Sequence, residues 1–234
     1  AGVRLASSQE VWPSRINPGV NRGYRPGTLR EDGRLRKYTG ACGPVIYRGN
    51  QFPASYLGNA FVCEPTGNMV RRNLITEKHG SLEANNAYHE MEFLTSSDER
   101  FRPVNAFNGP DGTLYIVDFY RGLIQHRIYL TSFLRGQIED RGLQEPIGLG
   151  RIYRVYHRGK DRQAAPAISS MNSAELAAQL SHPNGWSRSV AQRLLVDRRD
   201  ASIAPTLNAM VTNNRQPYAQ LHALWTLDGT GGAR

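Results

Sequence analysis

Two arginines two residues apart, Arg100 and Arg102, have the type and spacing to hold an anion in this 234-residue chain. In an extended strand, alternate side chains share a face, and a bidentate guanidinium fork suits a carboxylate. The competing reading is a pair of ion-paired surface arginines. Asp118, Tyr120, Arg121 and His126 form a second group, placed where an alternating apolar run opens into a long loop, a common position for functional residues. His126 fits the role of a base or hydrogen-bond donor. Beside Gln125 and Arg127 it also fits a solvated, structural role.

Cys42 and Cys63 are the only cysteines. They lie 21 residues apart, each within an apolar segment, and are read either as a disulfide between neighbouring strands, which suits an oxidising compartment, or as two buried thiols. No Cys-x-x-Cys-His is present, so no haem is attached covalently, and no Cys/His set has zinc spacing. Glu64, between Cys63 and Pro65, reads as a capping or turn residue. No paired carboxylates, Ser-His-Asp set or phosphate loop emerges, and Asn17-Pro-Gly and Arg25-Pro-Gly read as turns.

The elements that would position these residues fall into two regimes. Short apolar runs between Gly, Pro, Asn and Asp turns predict strands over 44–48, 59–63, 69–75, 91–95, 102–107, 113–118 and 151–156. Thr66-Gly67-Asn68 predicts a hairpin turn between the second and third of these, and Gly109-Pro110-Asp111-Gly112 another turn. Within a loop over 119–150, Leu130, Leu134 and Ile138 recur every four residues, with Thr131 as N-cap and Gly142 as stop, which predicts one amphipathic helix. Beyond a linker at 161–172 the period becomes helical, with helices predicted over 173–180, 187–197, 201–211 and 217–227. Pro217 suits the first turn of the last. Val190 and Leu194 match Leu221 and Trp225 at an offset of 31, the mark of a paired-helix repeat. Evenly spaced strands argue for a sandwich, barrel or propeller.

The formal net charge is +9, and residues 1–60 carry nine basic against three acidic side chains. That segment suits an anionic cofactor, an acidic partner or a lipid head group, or is simply a solvated face. It has no nucleic-acid-binding motif and only Tyr24 and Tyr38 as stacking partners, so no nucleic acid is expected. No apolar run is long enough for a transmembrane segment.

Asp98-Glu-Arg-Phe-Arg-Pro-Val-Asn, Asn108-Gly-Pro-Asp-Gly-Thr-Leu-Tyr-Ile-Val-Asp and Gly150-Arg-Ile-Tyr-Arg-Val resemble a run in the soluble sugar quinoproteins, which use pyrroloquinoline quinone (PQQ). Gly23-Tyr-Arg-Pro-Gly-Thr-Leu, Ala41-Cys-Gly-Pro-Val-Ile-Tyr-Arg-Gly, Gly58-Asn-Ala-Phe-Val-Cys-Glu-Pro and Asp118-Phe-Tyr-Arg-Gly resemble the membrane-bound dehydrogenase propellers of planctomycete and verrucomicrobial type. His182-Pro-Asn-Gly-Trp and Leu221-His-Ala-Leu-Trp-Thr-Leu are similar to the HEAT-type repeats that follow those propellers. The resemblance implies a mainly β fold with α, made of a partial β-propeller (about two blades of a six-bladed type) over 1–160, followed by HEAT-like helical repeats over 173–234. It implies that Arg100 and Arg102 contact the quinone, held with calcium in the intact family. Two positions depart from the pattern: Pro103 stands in place of an Asp, and Pro65 in place of a cofactor-contacting Lys.

The function expected from this resemblance is that of a fragment of a sugar or alcohol dehydrogenase whose lineage passes electrons to a c-type cytochrome. Without the catalytic blades, it would not turn over alone. The alternative is a scaffold or interaction subunit of a larger periplasmic or otherwise exported assembly. Its partners would be other subunits, a cytochrome or another acidic protein, with at most a peripheral place on the membrane.

Overall fold

In a computed structural model, the described residues are 10–17, 26–161 and 163–231. Residues 23–25 of the Gly23-Tyr-Arg motif, Tyr24, Pro18-Gly19 and the last three residues lie outside them. The chain divides into two compact units. One is drawn from 1–47, 58–107 and 115–155, the other from 48–57, 108–114 and 156–234.

In the first unit, strands β1 (Cys42–Ile46), β2 (Ala60–Glu64), β3 (Met69–Lys78) and β4 (Ser81–Asn86) lie side by side in that order. The short β5 (Leu94–Thr95) pairs with the start of β3. The β2–β3 turn ends on Asn68 at φ 54°, and the two-residue β3–β4 turn uses His79 at φ 51° and Gly80 at φ 72°. Two successive positive φ values match the twist of an antiparallel hairpin. Pairing of Phe61 with Arg72 and of Cys63 with Val70 puts these four on one face. There Phe61 meets Tyr47 and Phe93 edge-on. The other face carries Met69, packed with Val11 and Leu35. It also carries Arg71, fully buried and paired with the equally buried Glu92, Nε to Oε2 at 2.9 Å. Removing either partner would strand a buried charge, at a cost of about 3–5 kcal/mol.

A second antiparallel sheet has the order β6 (Pro103–Asn108), β7 (Leu114–Asp118), β8 (Arg151–Val155). Between β7 and β8 runs a long excursion with helix α1 (Ser132–Asp140). Thr131 caps it, its Oγ1 accepting from Leu134 N at 3.3 Å.

The second unit holds α2 (Ser173–Gln179), α3 (Gly185–Arg198), α4 (Ala204–Asn213) and α5 (Pro217–Thr230). They enclose a core of Ile168, Leu176, Leu180, Ala191, Leu195, Ile203, Leu207, Ala223 and Leu227. Asn172 and Glu175 form a reciprocal capping box at the start of α2, which satisfies two otherwise orphaned backbone donors. Ile168 anchors the segment at 161–172 to this core.

The partial propeller followed by HEAT-like repeats is not the architecture found. The fold is mixed α/β, with two open antiparallel sheets and five α-helices among the described residues. Even strand spacing is common to closed and open sheets, so alternation locates strands without stating how they assemble. The second sheet stops at three strands because residues 119–150 go to a loop and α1, and the chain after β8 turns helical. The matched stripe of the helical repeat also fails. Leu221 and Trp225 are about half exposed, and α5 instead buries Ala219, Ala223, Thr226 and Leu227. Small residues on that side allow close approach to α3: a Cβ at Gly229 would lie 2.6 Å from Val196 Cγ2.

Candidate functional site

A cavity of about 370 Å³ opens within the first unit. Three arginines line it: Arg15 ahead of the strands, Arg102 just before β6, and Arg141 at the end of α1. Glu99 is the lining carboxylate. It holds Arg15 (Nη2–Oε2 3.1 Å) and Arg141 (Nη1–Oε1 2.7 Å) together. Arg15 Nη1 also donates to Asn68 Oδ1 at 3.2 Å. Burial lowers the Arg15 pKa, and the like charge of Arg141 lowers it further against the pull of Glu99. Leu123, Ile124, Leu134, Ile138 and Leu143 from the excursion between β7 and β8 also line it.

Arg102 donates to three backbone carbonyls, those of Pro65, Arg121 and Gly122, each at 2.8 Å. These neutral acceptors satisfy its N–H groups without cancelling its charge, and burial pulls its pKa down to about 10. Arg100 turns elsewhere: its guanidinium donates to Gly142 O and Glu145 O. Both arginines precede β6, so the shared strand face expected for them does not form. The quinone does not fit these residues. Arg100 does not line the cavity, Arg102 already gives one N–H from each of its three nitrogens to a carbonyl, and Pro65 offers no cation.

Asp118 is buried at the end of β7, where one carboxylate oxygen accepts from Arg102 N at 2.7 Å and Tyr120 N at 2.8 Å. It clamps the turn that starts the long excursion and lets Tyr120 hold φ 47°. Tyr120 is also held by Asp98 through a side-chain hydrogen bond, which raises the phenol's pKa, and Arg151 stacks 3.7 Å over its ring. Arg121 lies over Phe119. His126 is exposed and caps a short turn, its Nδ1 accepting from Ile128 N at 3.4 Å. Asp118, Tyr120 and Arg121 are thus joined through Asp118 and Arg102, whereas among the described residues no hydrogen bond joins His126 to any of the three.

Glu64 is fully buried and accepts from the backbone N–H groups of Thr39, Gly40 and Thr66 at 2.9–3.2 Å. Burial raises its pKa, and those hydrogen bonds oppose the rise. It fastens the loop before β1 to the β2–β3 turn, a turn role for this residue. Cys42 and Cys63 are cross-strand partners, and both thiols are free. The residues missed in the sequence are Arg15, Glu99 and Arg141. They come from three distant segments, and no spacing links them.

Among the described residues there is no group of three His, Cys, Asp or Glu suited to a metal ion, and no helix is long and apolar enough to cross a membrane. No curated protein and no solved structure shows a significant match to the chain. A family described as Domain of unknown function (DUF7133) matches residues 3–159, more than half of the 234. The chain therefore belongs to the DUF7133 family.

Proposed function

We propose that this chain is an interaction subunit that docks an acidic partner protein through the segment at 119–155. One observation carries the reading. Large apolar side chains along this segment face solvent, among them Ile128 at 74% exposure and Ile152 at 67%, with Phe119, Tyr129, Ile147 and Leu149 near half or above. Side chains of this kind, concentrated in one segment, mark interaction surfaces. The same segment ends in β8, which lies at the end of its sheet and is exposed on both faces. Among the described residues no strand pairs with its outer edge, a position suited to strand addition.

Charge selects the partner. The segment carries six arginines against three acidic side chains, and the whole chain is at +9. A second copy would be repelled, whereas an acidic surface would be drawn in. The dehydrogenase lineage rests on the motif resemblance alone.

The test is a photo-crosslinking amino acid placed at position 128 or 152 of the full chain in its native cell, with position 82 on the β3–β4 hairpin as an exposed control. The expected result is one discrete adduct with an acidic protein from both test positions and none from the control. Protection of the β8 amides from hydrogen exchange in the isolated complex should accompany it. Adducts only with other copies of the chain, or none, would overturn the reading.

A further inference from the structure

We infer that the cavity of the first unit binds a small amphiphilic carboxylate, with the acid group on the Arg15–Arg141 side and an apolar tail along α1. This goes beyond the docking surface and does not depend on it.

The charge around the cavity is unbalanced. Arg15, Arg102 and Arg141 face one lining carboxylate, Glu99. The carbonyls that hold Arg102 are neutral, so its charge is met only through space, by Glu99 and Asp118. Two further carboxylates stand nearby, Glu64 and Asp118, but they are 0% and 1% exposed and accept from backbone N–H groups. A ligand entering the cavity therefore meets the arginines and not these acids. Arg15 and Arg141 are both held on Glu99; burial lowers the Arg15 pKa, and repulsion from Arg141 adds to this against the pull of Glu99. A second carboxylate relieves that repulsion, and the partly dry site strengthens the attraction. Both arginines keep some accessible side-chain surface, 16% and 25%, so an anion can reach them without unfolding the site.

The apolar part of the lining dictates the rest of the ligand. Ile138 and Leu134 on α1, with Leu123 and Leu143, offer hydrocarbon and no charge. An inorganic anion would leave this wall against water, whereas an alkyl tail covers it. At about 30 Å³ per water-sized volume, the cavity takes a ligand on the order of ten heavy atoms. A charged head, an apolar tail and that size describe a medium-chain carboxylic acid or a compact aromatic acid.

The probe is octanoate, titrated calorimetrically into the full chain. Octanamide has the same chain without the charge, and acetate has the charge without the chain. Octanoate should bind saturably, with octanamide and acetate each weaker by about tenfold or more. Arg141→Gln should weaken octanoate by a similar factor, and Ile138→Asn should weaken octanoate while leaving acetate unchanged. Glu99→Gln, which removes the competing acid, should tighten octanoate. Arg15→Gln replaces Arg141→Gln if that variant does not fold, as judged by circular dichroism. Equal binding of acetate and octanoate would mean a site for any anion and would overturn the proposal. So would octanoate binding insensitive to both the arginine and the Ile138 variants, or no saturable octanoate binding by the folded chain.

Discussion

Cys42 and Cys63 stand directly opposite each other on the antiparallel pair β1–β2, and each is a free thiol. Directly opposed residues of such a pair lie about 4.5–5.5 Å apart at Cα, inside the range a disulfide spans. Burial pushes the Cys63 thiol up to about 12, with Cys42 adding to the rise, and burial also raises Cys42. Since the thiolate is the reactive form, native alkylation of Cys63 at pH 8 should be slower than that of an unperturbed cysteine by roughly two orders of magnitude or more. Under an oxidant such as diamide the pair should close, so that intact-mass analysis after denaturing alkylation finds both labels lost together. Loss of only one label, or intermolecular dimers, would show that the side chains do not meet.

Arg102 gives a second measurable consequence. Removing its side chain leaves the carbonyls of Pro65, Arg121 and Gly122 without their donor. Arg102→Ala should therefore cost about 3 kcal/mol in urea unfolding. Arg102→Lys, with one compact ammonium in place of the planar fork, should recover only part of this. Arg100 binds the Gly142 and Glu145 carbonyls nearer the surface, so Arg100→Ala should cost about 1 kcal/mol. Equal costs for Arg100→Ala and Arg102→Ala would mean the three-carbonyl clamp contributes little.

These arginines also mark what the sequence could reveal. Most strands and helices were legible, because alternation, turn residues and caps such as Thr131, Gly109-Pro110-Asp111-Gly112 and Pro217 act within a few residues. Strand β4 was missed: its polar run Ser81–Asn86 lacks clear alternation, and its turn is His79-Gly80 where Asn-Gly or Asp-Gly would have signalled a hairpin. Assembly was not legible either. Whether a sheet closes depends on which strands meet, and the stripe at Leu221 and Trp225 had the period of a core face without being one. The cavity was half visible. Arg102 stood out by its spacing from Arg100, but its partners are carbonyls, which no side-chain pattern encodes. Arg15, Glu99 and Arg141 meet only through the fold.

Glu64 links the fold to pH. Its pKa in the folded chain is raised, chiefly by burial. Between the unfolded value near 4.5 and the higher folded value, the folded state holds more protons. Its contribution to stability is therefore fully present below pH 4.5 and is lost as pH rises through the folded pKa. Glu64→Gln removes this dependence. The stability difference between Glu64→Gln and the parent should move in favour of the variant as pH rises from 4 towards 7, whatever its sign at pH 4. Urea midpoints at several pH values check this, and a difference that stays flat, or moves the other way, would show that Glu64 is not held against its charge.

Asn184 tests the second unit, because its side chain works at both ends. Its Oδ1 caps α3 by accepting from Trp186 N at 3.0 Å, and its Nδ2 donates to Gly109 O at 3.0 Å and Pro110 O at 3.1 Å. The residue is 1% exposed, so no water replaces these bonds easily. Asn184→Ala loses the cap, about 1 kcal/mol, and leaves two carbonyls without their donor, for about 2–3 kcal/mol in all. Asn184→Asp separates the two roles. A carboxylate is as good a cap as an amide, and its charge suits a helix N-terminus. It has no N–H to offer, however, and brings negative charge against two carbonyl oxygens, that of Gly109 buried and that of Pro110 partly so. If the cap dominates, Asp should be nearly neutral. If the carbonyl clamp dominates, Asp should be at least as damaging as Ala. The geometry favours the second outcome, since two of the three hydrogen bonds are donated by Nδ2. Thermal unfolding of the two variants side by side decides it, and an Asp variant within about 0.5 kcal/mol of the parent would show that the clamp contributes nothing beyond the cap.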